Sequence, residues 1–150
     1  MQSRLHYHEA EPEIMKAVFK LNQAVQASGL DPKLLHLIKL RASQINGCSY
    51  CVELHSREAR ADGETEQRLY LVSAWKESPL FTPAERTALA WTEALTLIAS
   101  EDASDALYAE VLEHFGPADL TRLSVAISMI NTWNRLAISS RMIHPVNQAA

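Results

Sequence analysis

Apolar residues recur along this chain at intervals of three and four and nowhere in a sustained alternation of two, which predicts helices and no sheet. A first helix is expected from Pro12 to about Ser28, with Ile14, Val18, Leu21 and Val25 as its apolar stripe and Gly29 placed to end it. Asp31-Pro32, a capping residue followed by proline, opens a second helix to about Asn46. Its inner stripe is Leu34, Leu37, Ile38, Arg41 and Ile45. Gly47 punctuates, and a third helix follows to about Ala61, where Asp62-Gly63 stops it. A fourth, near Glu64 to Lys76, carries Leu69, Val72 and Trp75 or Lys76 before Ser78-Pro79 breaks it. Thr82-Pro83-Ala84-Glu85 reads as a capping box with proline at the first helical position, and the helix it starts continues through Ala88, Trp91, Leu95 and Ile98. A shorter helix from about Ser104 to His114 is separated by Gly116-Pro117 from a long one running toward Met142. In that last helix Leu120, Leu123, Ile127, Ile130 and Ala137 cover one side and Val125, Met129, Trp133 and Leu136 another, the pattern of a central or interface helix. The expected fold is therefore all-α, a bundle of about six or seven helices.

Composition narrows this picture. A chain of 150 residues buries one core, so a single domain over 1–150 is expected, its core about 12–145. Hydrophobic residues at 47% and charged residues at 21% describe an ordered globular protein. The formal charge of -4 gives no broad attraction to nucleic acid or anionic lipid, so neither is expected as a partner. Residues 1–11 lack the apolar region of a signal peptide and no run is long enough for a membrane span, which makes a cytoplasmic location the default expectation.

The chemistry concentrates between Asn46 and His55, where the only two cysteines lie. On a helix, Cys48 and Cys51 are three residues apart and Cys51 and His55 four, so two thiols and an imidazole share one face. In a reducing compartment such a pair is redox-active or metal-binding more often than a structural disulfide. A first-turn thiol ionises easily because unpaired N–H groups and the helix dipole favour a negative sulfur, and His55 is one turn from Cys51, positioned to take its proton. A Cys51 thiolate can attack a peroxide oxygen and become a sulfenic acid that Cys48 captures as a disulfide, after which an external thiol must reduce the pair. Two alternatives use the same residues. Cys48, Cys51 and His55 can supply three zinc ligands with His36 or a distant histidine as a fourth, although zinc clips usually sit on turns rather than within one helix. The three side chains can also simply pack.

The run from Lys39 to His55, KLRASQINGCSYCVELH, followed by ADGETEQRLY over 61–70, resembles the AhpD-like alkylhydroperoxidase branch of the carboxymuconolactone decarboxylase family. Trp75, the segment Thr82-Pro83-Ala84-Glu85-Arg86 with Ala90-Trp91, and Ile130 to Arg135 are similar to further family landmarks, so the resemblance covers most of residues 12–145. It implies an all-helical fold, a dimer-based homo-oligomer (often a hexamer), and thiol-dependent reduction of hydrogen or organic hydroperoxides by an external thiol or dithiol, with no cofactor. It also implies Cys51 as the peroxidatic thiol, Cys48 as the resolving thiol and His55 in the proton relay. The chain departs from the family at that relay: His36 stands where peroxidases of the family carry a glutamate, and Tyr50 where the namesake peroxidase carries a histidine. A histidine still relays protons but cannot hold His55 with a carboxylate's charge. Glu58 is one turn beyond His55 and is a candidate to do so, whereas Glu53 is off the face by spacing.

Trp75, Trp91 and Trp133 are expected as core or interface anchors. Asn134 and Arg135 need polar partners on an apolar helix, and Arg41 needs a carboxylate, Glu93 or Glu58. His6, His8, His114 and His144 share no spacing and are expected at the surface. The function expected is peroxide reduction through a Cys51/Cys48 dithiol with His55 and His36 in support. Its rivals are a muconolactone-type decarboxylase, which does not require the cysteine pair, and a non-catalytic thiol sensor.

Overall fold

The structure is a computed structural model and describes residues 2–146, so both ends of the expected 1–150 domain, residue 1 and residues 147–150, lie outside the described residues. Seven α-helices and one 3₁₀ turn account for the regular structure, and no strand occurs among the described residues. The helices are α1 (Tyr7–Ala10), α2 (Pro12–Gln26), α3 (Pro32–Asn46), α4 (Ser49–Ala61), α5 (Glu66–Leu71), α6 (Pro83–Thr96) and α7 (Asp105–Ser140). The caps read from the sequence form. The Asp31 side chain accepts the Lys33 N–H, and Thr82 and Glu85 exchange side-chain-to-backbone hydrogen bonds as a complete capping box. Gly116, at φ 69° and ψ 174°, breaks α7 so that 105–115 and 117–140 are separate helical stretches across a kink.

The helix at the centre is α3, rather than the long last helix. Leu34 to Leu40 are all buried because α3 packs against α4, α6, α7 and the 3₁₀ turn. One core cluster joins Leu35 and Ile38 to Trp91, Leu123 and Ile127, and a second joins Leu37 and Leu40 to Val72, Trp75 and Leu89. α3 therefore separates and supports both, and any polar side chain it carries inward is enclosed by protein.

Three expectations are corrected. On α2, Ile14 and Leu21 are 62% and 47% exposed, while Met15 and Val25 are buried. The helix docks mainly on α7, and one flank admits only a narrow stripe. The fourth helix is shorter than expected: Thr65 caps it, and beyond Leu71 the chain tightens into the 3₁₀ turn Val72–Glu77. That turn brings Trp75 inward to donate its indole N–H to Glu93 at 2.8 Å, and Arg86 donates to the carbonyls of Trp75, Lys76 and Ser78. Side chains from α6 thus replace the hydrogen bonds a continuous helix would have made. Finally, α6 stops at Thr96, and Ile98 lies in the following turn, 65% exposed. The short α1 had no periodic signal in the sequence.

Candidate active site

The site begins with a change of direction. Gly47 ends α3 in the left-handed region, φ 68° and ψ 29°, with its N–H on the Gln44 carbonyl and the Cys48 N–H on the Ser43 carbonyl at 3.0 Å. This pair of bonds satisfies the last carbonyls of α3 and turns the chain directly into α4. Cys48 becomes the N-cap of α4, its sulfur accepting the Cys51 N–H at 3.4 Å. The sequence had placed it in the first turn; one position earlier, the sulfur itself caps the helix.

The two sulfurs are 2.7 Å apart, and both cysteines are buried. Cys51 donates its S–H to Cys48, and this bond, with the Cys51 N–H and the Asn134 side chain, holds Cys48 down at about 7 although burial pushes it up. Cys51, as the donor in that bond and buried beside a negative sulfur, is pushed up. One proton therefore serves both thiols, and Cys48 holds the charge at the positive end of α4.

His55 is one turn below Cys51 on the same face. Its Nδ1 lies 3.0 Å from Glu58 Oε2. The hydrogen bond from His55 holds Glu58 below the usual carboxylate range, so Glu58 is an ionised acceptor and Nδ1 must carry the hydrogen. Nε2 keeps its lone pair. Burial lowers the His55 pKa and Glu58 opposes this, so the imidazole is neutral at neutral pH and available as a base. Glu58 thus occupies the orienting position that the sequence offered it as a candidate. Glu53 pairs outward with Arg57 at 3.1 Å.

His36 is buried in α3, its Nε2 2.7 Å from Asp62 Oδ2, and among the described residues its Nδ1 has no partner. It contacts neither thiol, and its influence on His55 and Glu58 is electrostatic. The Asp62 bond also takes it out of the zinc cage considered above, and among the described residues no three histidine, cysteine or acidic side chains converge on a metal position. Tyr50 is half-buried at the cavity wall.

Beneath Cys48 lies a buried amide network. Asn134, fully buried, donates to Ser43 Oγ at 3.0 Å and accepts from Asn46 Nδ2 at 2.8 Å. Asn46 donates also to Asn131 Oδ1 at 2.9 Å, and Arg135 braces Asn131 from outside. The Asn134–Arg135 pair flagged in the sequence therefore divides its work: Asn134 supports the thiols and Arg135 supports α7. Arg41 takes Glu93, at 2.7 Å, of the two carboxylates expected for it.

A cavity of about 220 Å³ opens in front of Cys51 and His55, walled by Phe19, Leu54, Trp133 and Met142 and carrying Lys39 and Glu58. Lys39 is the functional candidate the sequence reading did not single out. It is only 5% exposed, and burial lowers its pKa while Glu58 raises it. Its only sequence signal was a lysine on an otherwise inward-facing stretch of α3. His8 also lines this cavity, and His6 and His8 line its neighbour; His6 and His8 themselves are exposed, as expected.

A helical protein with an N-capping thiolate, a partner thiol and a carboxylate-oriented histidine facing a small cavity is a dithiol protein of the AhpD-like type. Residues 12–94 match the carboxymuconolactone decarboxylase family, and the chain belongs to it. The uncharacterized protein YdfG of Bacillus subtilis is 40% identical over 139 residues, 93% of this chain and 95% of that one. Among solved structures, protein ATU0492 of Agrobacterium tumefaciens superposes with a TM-score of 0.94 at 46% identity, over 97% of this chain and 100% of that one. It is described as a protein of unknown function and a candidate antioxidant defence protein AhpD. An uncharacterized peroxidase-related protein from Silicibacter sp. TM1040 superposes at 0.80 with 21% identity, over 91% of this chain and 72% of that one, a likeness of fold alone.

Proposed function

We propose that the protein reduces hydroperoxides with the Cys51/Cys48 dithiol. The observation that carries this reading is Cys51 on the cavity wall beside a neutral, Glu58-oriented His55, with the Cys48 sulfur 2.7 Å behind it. As Cys51 attacks the distal peroxide oxygen, the proton of its S–H···S hydrogen bond passes to His55 Nε2, the S–O bond forming as the O–O bond breaks. The departing alkoxide takes the proton back from His55 and leaves as alcohol. Cys48 then attacks the Cys51 sulfenic acid, forming the S–S bond and releasing hydroxide, which a solvent proton converts to water. Two thiols and one hydroperoxide become a disulfide, an alcohol and water; two equivalents of an external thiol, or one dithiol, restore the pair. The order rests on access, because Cys51 lines the cavity and Cys48 does not.

The test is stoichiometric. One equivalent of peroxide should remove both free thiols of the wild type, Cys48→Ser should accumulate a sulfenic acid that a dimedone-type trap reports, and Cys51→Ser should react slowly. Undiminished peroxide reactivity in Cys51→Ser overturns the assignment, and oxidation without turnover in the presence of a dithiol leaves the thiol-sensor reading in its place.

A further inference from the structure

Lys39 is, among the described residues, the one lysine or arginine that is buried, and no hydrogen bond or ion pair is made by its ammonium among them. The half-buried cations are all answered: Arg41 by Glu93 at 2.7 Å, Arg68 by Glu64 and Glu85, and Arg86 by the carbonyls of Trp75, Lys76 and Ser78. Lys39 instead faces space. It lines the cavity in front of Cys51 and also the small void behind it, between Asn22 and Trp133. The titratable groups that line the cavity with it are Glu58, His55, Cys51, Tyr50 and His8. Glu58 attracts the ammonium from beyond ion-pair distance while giving one oxygen to His55; His55 is neutral, and His36 is held by Asp62. The ammonium is thus left with capacity for one more anion, in a cavity whose walls are otherwise largely apolar.

We infer that Lys39 makes this cavity a receptor for a small apolar monocarboxylate. A single ammonium matches a monoanion, whereas a phosphate dianion would require further donors. Desolvated at the cavity wall, that pairing is much stronger than at a surface. A cavity of about 220 Å³, the space of roughly seven waters, holds a ring or short chain beside the carboxylate, against Phe19, Leu54 and Trp133. Resting on the peroxidase reading for its reactive group, the inference names the substrate class as carboxylate-bearing organic hydroperoxides, with the carboxylate on Lys39 and the peroxide toward Cys51.

Two pairs of compounds, the first isosteric, test this. 4-Isopropylbenzoate and 4-isopropylbenzamide, which carry no peroxide, are titrated calorimetrically into the wild type, Lys39→Gln and Lys39→Arg. Cumene hydroperoxide and its para-carboxy analogue are then compared as substrates. The benzoate should bind the wild type about tenfold or more tighter than the amide, Lys39→Gln should abolish that preference and Lys39→Arg should retain part of it. The para-carboxy hydroperoxide should show the higher kcat/KM through a lower KM, and Lys39→Gln should collapse the ratio. Equal binding of benzoate and benzamide, or an unchanged preference in a folded Lys39→Gln, overturns the inference. If neither hydroperoxide is reduced while benzoate binds through Lys39, the carboxylate site stands and the peroxidase reading falls.

Discussion

At the scale of single residues the site is a problem in proton placement. Cys48 is held at about 7 by the hydrogen bond from Cys51 with help from Asn134, and Cys51 is pushed up by the same bond. The ultraviolet thiolate band of the reduced protein should therefore rise by one thiolate near pH 7, with the second absent until well above the ordinary cysteine value. Cys51→Ser should shift that first step rather than remove it, and Cys48→Ser should remove it. Asn134→Ala should move the step upward and cost about 1–3 kcal/mol of stability, since Ser43 and Asn46 lose a buried partner. A step unmoved by Asn134→Ala would show that the amide network does not reach the thiols. Cys48, Cys51, His55 and Glu58 were legible before folding because all four lie within eleven residues of one helix, where spacing alone decides what faces what. Lys39 was not legible: its enclosure is decided by α2, α4 and α7, which the α3 pattern does not encode.

At the scale of elements, the junction between α3 and α4 aims the chemistry. The left-handed Gly47 allows α3 to end and Cys48 to cap α4 without an intervening loop. A Cβ on Gly47 would meet no atom within 4 Å, so the effect of Gly47→Ala is conformational rather than steric. It should destabilise the protein by about 1–2 kcal/mol in urea titration. It should also slow thiol oxidation, because any relaxation of the turn moves the Cys48 sulfur off the Cys51 N–H. Full stability with full reactivity would mean that the turn is not what positions the thiols. The start signals of α3 and α6 could be read in advance since caps are local chemistry, whereas the end of α6 and the 3₁₀ turn after α5 depend on Trp75 and Arg86 finding partners across the fold.

At the scale of the molecule, several shifts act together on stability. His55 has its pKa lowered by burial from an ordinary 6.5, so as pH falls below 6.5 the unfolded chain binds a proton that the folded chain resists, and stability is lost. Glu58, with its bond from His55, and Glu93, whose burial is outweighed by Lys76, Trp75 and Arg41, lie below the ordinary 4.5. Their contribution is present above that value and is lost as pH falls through the folded values. Both effects have the same sign, so the urea midpoint should fall continuously between about pH 7 and about pH 4. His55→Gln should flatten the upper part of that fall. A midpoint independent of pH over this range would contradict the buried, neutral state of His55. No helix among the described residues is long and apolar enough to cross a membrane.

The sequence by itself determined the helical class, most helix starts, and a thiol pair with a histidine on one face, with Glu58 only a candidate partner, since all of these rest on spacings within one helix or on caps a few residues long. The tertiary structure decided which helix is central, which flank of α2 is buried, where His36 goes and what stands beneath Cys48. Those outcomes depend on residues far apart in the chain, as when Asn134 reaches Ser43 or Asp62 takes His36, and on burial, which turns an ordinary lysine at position 39 into an unanswered charge in the cavity that Cys51 lines.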